Sequence, residues 1–118
     1  MMRTVPAIVL AVGMLWTLPA SARDAACQVQ SGGKKMLDKV CDFRSVDSNG
    51  SFNLSSRGSK EAPLFPDVLS LSVTIIKPGI AEVRGLTKDG INSRWGEARR
   101  SAKDGACWDG ADFRICAR

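Results

Sequence analysis

Gly105-Ala-Cys-Trp-Asp-Gly-Ala-Asp-Phe-Arg-Ile-Cys-Ala-Arg118 closes the chain, and its two cysteines bracket a stretch with turn residues at its middle. With a turn centred on Ala111 and Asp112, cross-strand partners carry numbers that sum to 223, so Cys107 opposes Cys116, Trp108 opposes Ile115 and Asp109 opposes Arg114. Successive side chains of a strand point to opposite faces, which places the two cysteines and the Asp109–Arg114 pair on one face. Trp108, Phe113 and Ile115 share the other, and three large apolar side chains require a core to cover them. Directly opposed residues at a non-hydrogen-bonded site have Cα atoms about 4.5 Å apart, a spacing a disulfide accepts. The stretch therefore reads as the stapled last hairpin of a small all-β domain.

The other end of the chain reads as a secretory leader. Met1-Met2-Arg3 supplies a positive charge, Val5 to Leu18 is almost wholly apolar, and Ala20-Ser21-Ala22 fits the small-residue cleavage pattern. Residues 1–22 are assigned to a signal peptide and 23–118 to a single domain; the apolar run is short for a membrane span, so none is expected after cleavage. The chain has four cysteines, an even number that in an exported protein implies two disulfides. Of the three connectivities, Cys27–Cys41 with Cys107–Cys116 is favoured because both are local. The expected location is the periplasm or the exterior of the cell. Loss of Arg3 from 17 basic residues leaves 16 against 12 acids, a moderate +4 that favours anionic partners without selecting one. It is too sparse for a specific nucleic-acid interface.

Between the two ends the chain alternates like a sheet. Cys27 to Val29 is a short strand, followed by a turn at Ser31-Gly32-Gly33. Val40 to Val46 and Ser51 to Ser55 form a hairpin about Asn49-Gly50, with partners summing to 99. Cys41, Phe43, Phe52 and Leu54 then share one face. Arg57 to Asp67 is the longest loop, and Phe65 within it plugs the core. In Val68 to Ile76, Leu69, Leu71, Val73 and Ile75 point inward. Keeping their parity beyond Pro78-Gly79 requires an odd loop or a bulge, of which the odd loop is predicted, setting Ile75 against Val83. Lys88-Asp-Gly90 is a three-residue connection that opposes Thr87 to Ile91 and Val83 to Trp95, with Ile91, Ser93 and Trp95 facing the core. After Trp95 the alternation fails, so Gly96 to Gly105 reads as a loop or one helical turn. The fold predicted is a β-barrel or β-sandwich of six or seven antiparallel strands, monomeric or weakly dimeric.

The chemistry available is limited. The chain has no His and no Tyr, which removes Ser-His and Cys-His nucleophile pairs and leaves no ready metal site or cofactor motif. Asp109 and Asp112 are the closest acids beside an aromatic, but one suits Arg114 and the other suits the turn. A non-enzymatic role is therefore expected. The remaining candidate is Arg94 to Lys103, where Arg94, Arg99, Arg100 and Lys103 stand against Glu97 alone. Read as a rigidly held loop, it could bind an anionic envelope component or protein.

Gly90-Ile-Asn-Ser-Arg-Trp-Gly96 with Gly105-Ala-Cys-Trp and Phe113-Arg-Ile-Cys-Ala117 resembles small exported bacterial proteins of unknown function, over the C-terminal third. In size, export, barrel character and use of disulfides the chain is also similar to periplasmic lysozyme inhibitors. That resemblance implies a scaffold offering loop residues to a hydrolase cleft, and makes inhibition the alternative to an envelope-binding role. The inhibitors of c-type lysozymes carry Ser-Gly and Tyr-containing motifs, a pattern this Tyr-free chain lacks. Its basic charge also has the same sign as those enzymes.

Overall fold

A strand that alternates apolar and polar residues has one dry face, and a set of such strands can bury every dry face by closing into a ring. The computed structural model describes residues 22–118, which do this with eight antiparallel strands in a closed barrel. They are β1 (Ala22–Ser31), β2 (Lys34–Ser45), β3 (Phe52–Ser55), β4 (Val68–Lys77), β5 (Ile80–Thr87), β6 (Asn92–Arg100), β7 (Cys107–Asp109) and β8 (Phe113–Ala117). Each pairs with its neighbour in the chain, and β1 pairs with β8 to close the ring. The interior is filled by Val29, Leu54, Leu71, Val73, Val83 and Ile115, all fully buried. Of the expected leader, only its last residue, Ala22, is among the described residues.

Both disulfides form as expected, and they occupy opposite sides of the wall. Cys27 and Cys41 are diagonal neighbours on β1 and β2, with Cα atoms 5.8 Å apart, and belong to the core. Cys107 and Cys116 are directly opposed on β7 and β8 at 4.0 Å and alternate with the inward Trp108 and Ile115, so their bridge lies on the outer face. The closing hairpin has the predicted register throughout, and Arg114 lies 3.4 Å from Asp109.

Other registers differ, in ways that keep the parity. Arg44 pairs with Asn53 and Ser45 with Phe52, a sum of 97. The loop is longer than an Asn-Gly turn because the Asp47 carboxylate accepts the backbone N–H of Asn49 at 2.8 Å and of Ser51 at 3.1 Å. A shift of two leaves every side chain on its predicted face. Pro78-Gly79 is a two-residue turn rather than the predicted odd loop; the odd residue is a bulge at Ile76, and Ile75 opposes Ala81 instead of Val83. A second bulge at Leu69 turns Val68 toward the core in its place, so Leu69 does not point inward as expected.

Strand extends further than expected at two places. β2 begins at Lys34, because Gly32 and Gly33 both adopt positive φ and turn the chain tightly into it. β6 continues to Arg100, so Gly96 to Arg100 is neither loop nor helical turn. Its alternation is hidden by a bulge at Trp95: Arg94 opposes Arg84, whereas Val83 opposes Gly96 rather than Trp95. Gly96 has φ 121°, a region L side chains rarely enter, which permits the bulge. Ile91, expected to face the core, is 60% exposed at the turn.

The loop between β3 and β4 closes one mouth of the barrel. Leu64 and Phe65 are buried, as predicted for Phe65, and Phe65 meets the edge of Trp95, which in turn packs on Phe113 with centroids 5.5 Å apart. Gly85 makes room for that indole, since a Cβ there would lie 2.8 Å from Trp95 Nε1. Trp95 is hemmed in by two rings and has little freedom to retreat. Gly85→Ala should therefore cost about 1–3 kcal/mol and alter tryptophan emission, both measurable by urea unfolding; an unchanged midpoint would refute the tight fit.

Candidate functional site

Arg94, Arg99, Arg100 and Lys103 do not share one loop. The first three lie on β6, and Lys103 follows in the connection to β7. Arg94 is engaged: its Nε donates to Glu82 Oε2 at 2.7 Å, and Arg84 lies 3.3 Å from the same oxygen. The Arg94 hydrogen bond, reinforced by the charge of Arg84, holds the Glu82 carboxyl below the usual range. Arg99 sits between Ile80 and Asp109 in the ladder, and the Asp109 carboxylate is turned to Arg114. Arg100 places its guanidinium 5.0 Å from the centroid of the Trp108 ring.

Connectivity sets what lies beside these residues. In an up-and-down barrel the β2–β3, β4–β5 and β6–β7 connections, with the start of β1 and the end of β8, meet at one mouth. That mouth carries Arg23, Lys77, Arg99, Arg100 and Lys103, none of which forms an ion pair among the described residues. Arg23 lies 4.3 Å over the ring of Phe43, as Arg100 does over Trp108 at somewhat longer range, so two cations cover the aromatic floor. Val46 and Ile76 are exposed there, at 48% and 57%.

Two acids nearby, Asp104 and Asp47, are occupied. Asp104 accepts both oxygens' worth of bonding from Arg118 Nη1, at 2.9 and 2.8 Å, and the N–H of Ala106 at 3.1 Å. Its carboxyl is lowered chiefly by Arg118, and that of Asp47 by the hydroxyl and N–H of Ser51. Glu97 faces the same side as Arg99, two residues earlier, without pairing to it.

A groove of about 230 Å³ runs over the outer disulfide between Gln28, Gln30, Lys35 and Arg118. Its charges are matched: Lys35 with Asp38 at 3.2 Å, Arg114 with Asp109, Arg118 with Asp104. Asp112 is an exposed turn residue whose carbonyl accepts the N–H of Gly32, as its turn role predicts. No protein-family model, curated protein or solved structure matches the chain.

Sequence reasoning missed Arg23 and Lys77, because β4–β5–β6 pairing aligns Lys77 with Ile80 and Arg99 while closure of the ring brings the start of β1 to the same mouth. It also counted Arg94 as available, although the Glu82 carboxylate comes within reach of it once β5 and β6 are in register, with Arg94 opposite Arg84. The Glu82 contribution has a definite sign. A depressed carboxyl pKa stabilises the fold above the ordinary glutamate value near about 4.3, and that stabilisation is lost as pH falls through the folded-state value. Glu82→Gln should therefore lower the melting temperature at pH 7 and converge on the wild-type curve in acid. A difference independent of pH would refute the pairing.

Proposed function

We propose that the protein is an exported binding module that docks an anionic envelope component or protein on the barrel mouth bearing Arg99, Arg100 and Lys103. The two disulfides fit an oxidising, exported environment. Among the described residues no helix is long and apolar enough to cross a membrane. The observation that carries the reading is the collection of cations without ion-pair partners at one mouth, while most other basic clusters on the wall are neutralised by a neighbour. Arg94 is engaged with Glu82 on the wall and is not one of the contacts at the mouth. The exposed Val46 and Ile76 give a docked partner apolar contact beside the charge.

Such a site works by long-range attraction followed by short charge-assisted hydrogen bonds. Arginines held over rings are partly ordered before contact, so less conformational freedom is lost on binding. Arg99→Ser with Lys103→Ser should leave the melting temperature within about a degree, since exposed unpaired charges contribute little to stability. Retention of the mature protein on isolated envelope fractions should fall about tenfold or more. It should also weaken with salt as the screening length drops below about 8 Å. Retention that survives both the double variant and high salt would overturn the proposal.

A further inference from the structure

The outer wall formed by β2 to β6 holds a feature that the charge pattern of the chain does not announce. One hydrogen-bonded row crosses β2 to β6 as Arg44, Asn53, Ser72, Arg84 and Arg94, each the register partner of the next. The adjacent row is Asp42, Ser55, Ser70, Leu86 and Asn92. The inward neighbours of these residues, Phe52, Leu54, Leu71, Val73 and Val83, are buried, so both rows face out. Their middles are small and polar where the ends are long, which hollows the wall into a trough. Two depressions of about 200 and 240 Å³ share Asn53, Ser70 and Leu86 and form its floor. Lys60, from the long loop, overhangs the Arg44 end.

Asn53, Ser55, Ser70 and Ser72 are half-buried in this trough, yet among the described residues none of their side chains makes a hydrogen bond within the protein. Here both donors and acceptors are left directed outward, along a row that spans about 19 Å at the spacing of neighbouring strands. Each end keeps a net positive charge: Arg44 and Lys60 stand at one against Asp42 in the adjacent row, and Arg84 and Arg94 at the other against the Glu82 they share.

We infer that this trough binds an acidic glycan: a hydroxyl-rich chain whose carboxylate or phosphate groups meet the arginine ends while its hydroxyls pair with Asn53, Ser70 and Ser72. The matching is chemical. Sugar hydroxyls both donate and accept, as Ser and Asn side chains do, and arginine forks fit carboxylate or phosphate. A peptide is less well served, because the closed ring offers no strand edge there and the floor has no deep apolar pocket for its side chains. The trough lies about 16 Å along β6 from Arg99 by strand rise, and this inference does not depend on the function proposed for the mouth.

The test is titration of the ¹⁵N-labelled mature protein with polygalacturonate, which carries carboxylates, and separately with dextran phosphate. Dextran and poly-L-glutamate serve as neutral and peptide controls. The expected result is saturable shifts of the Asn53, Ser70 and Ser72 amides with at least one acidic glycan, and neither control matching it. The arm that responds identifies the acidic group. Ser72→Glu and Arg44→Ser/Arg84→Ser are surface changes, and each should weaken that affinity by about tenfold or more; Arg99→Ser/Lys103→Ser should change it less than about twofold. No shift with either polymer, equal binding of poly-L-glutamate, or binding lost with the Arg99 and Lys103 variant but kept in Ser72→Glu would each overturn the assignment.

Discussion

The seam between β1 and β8 is the constraint on which the rest of the barrel depends. Residues Cys27 to Ser31 pair with Phe113 to Ala117, joining segments from opposite ends of the domain. Closing so long a loop is entropically unfavourable, though the penalty grows only slowly with length. Neither disulfide spans the seam. Instead, Cys27–Cys41 ties β1 to β2 and Cys107–Cys116 ties β8 to β7, so the two hairpins that must meet are each cross-linked. With Cys27 opposite Ala117 and Gln28 opposite Cys116, both bridges stand directly beside the seam. Without that pairing β1 and β8 would expose open strand edges, and Val29 and Ile115, which face each other across it, would lose their cover.

Much of this geometry was legible in the sequence because parity is a robust property. Trp108, Phe113 and Ile115 had to share a face whatever the remainder did, and so did Cys41, Phe43, Phe52 and Leu54. Shifts of two residues at the β2–β3 and β4–β5 turns changed partners without changing faces. Bulges were harder to read. At Leu69, Ile76 and Trp95 one residue is added to one strand, and the effect on the pattern is the same as that of strand ending. At Trp95 this made the basic half of β6 look like a loop. The bulge at Ile76 also has a local solution that only three dimensions reveal. The Ile75 N–H donates to the buried Ser51 hydroxyl oxygen at 2.8 Å, tying β4 to the turn before β3.

The bulges also shape the candidate sites. A bulge increases local twist and bends the strand, which a narrow eight-stranded ring needs to close. At Leu69 it turns an apolar side chain onto the wall of the trough, and at Trp95 it separates Arg94 from Arg99 on β6. The basic run in the sequence is thereby divided between two regions. Arg94 joins Arg84 around Glu82 beside the trough, while Arg99 and Arg100 reach the mouth. Sequence proximity suggested one contact surface, and the fold distributes it between two.

Net charge is consequently a poor guide to where this protein would engage an anion. The chain carries +5 overall, yet Lys35, Lys88, Arg114 and Arg118 each have an acid of their own within 4 Å and add little field beyond it, whereas Glu82 is shared by Arg84 and Arg94 and offsets one charge of the two. What remains is set by pairing rather than by count. Arg23 and Arg100 lie over aromatic rings, which hold them in place without cancelling their charge. Asp104 is committed to Arg118 and Asp47 to the backbone of its own turn, so neither neutralises the mouth, and Glu97 beside Arg99 offsets only part of its charge. The mouth is therefore positive because Asp104 and Asp47 serve structure, an arrangement that neither the composition nor the run from Arg94 to Lys103 contains by itself.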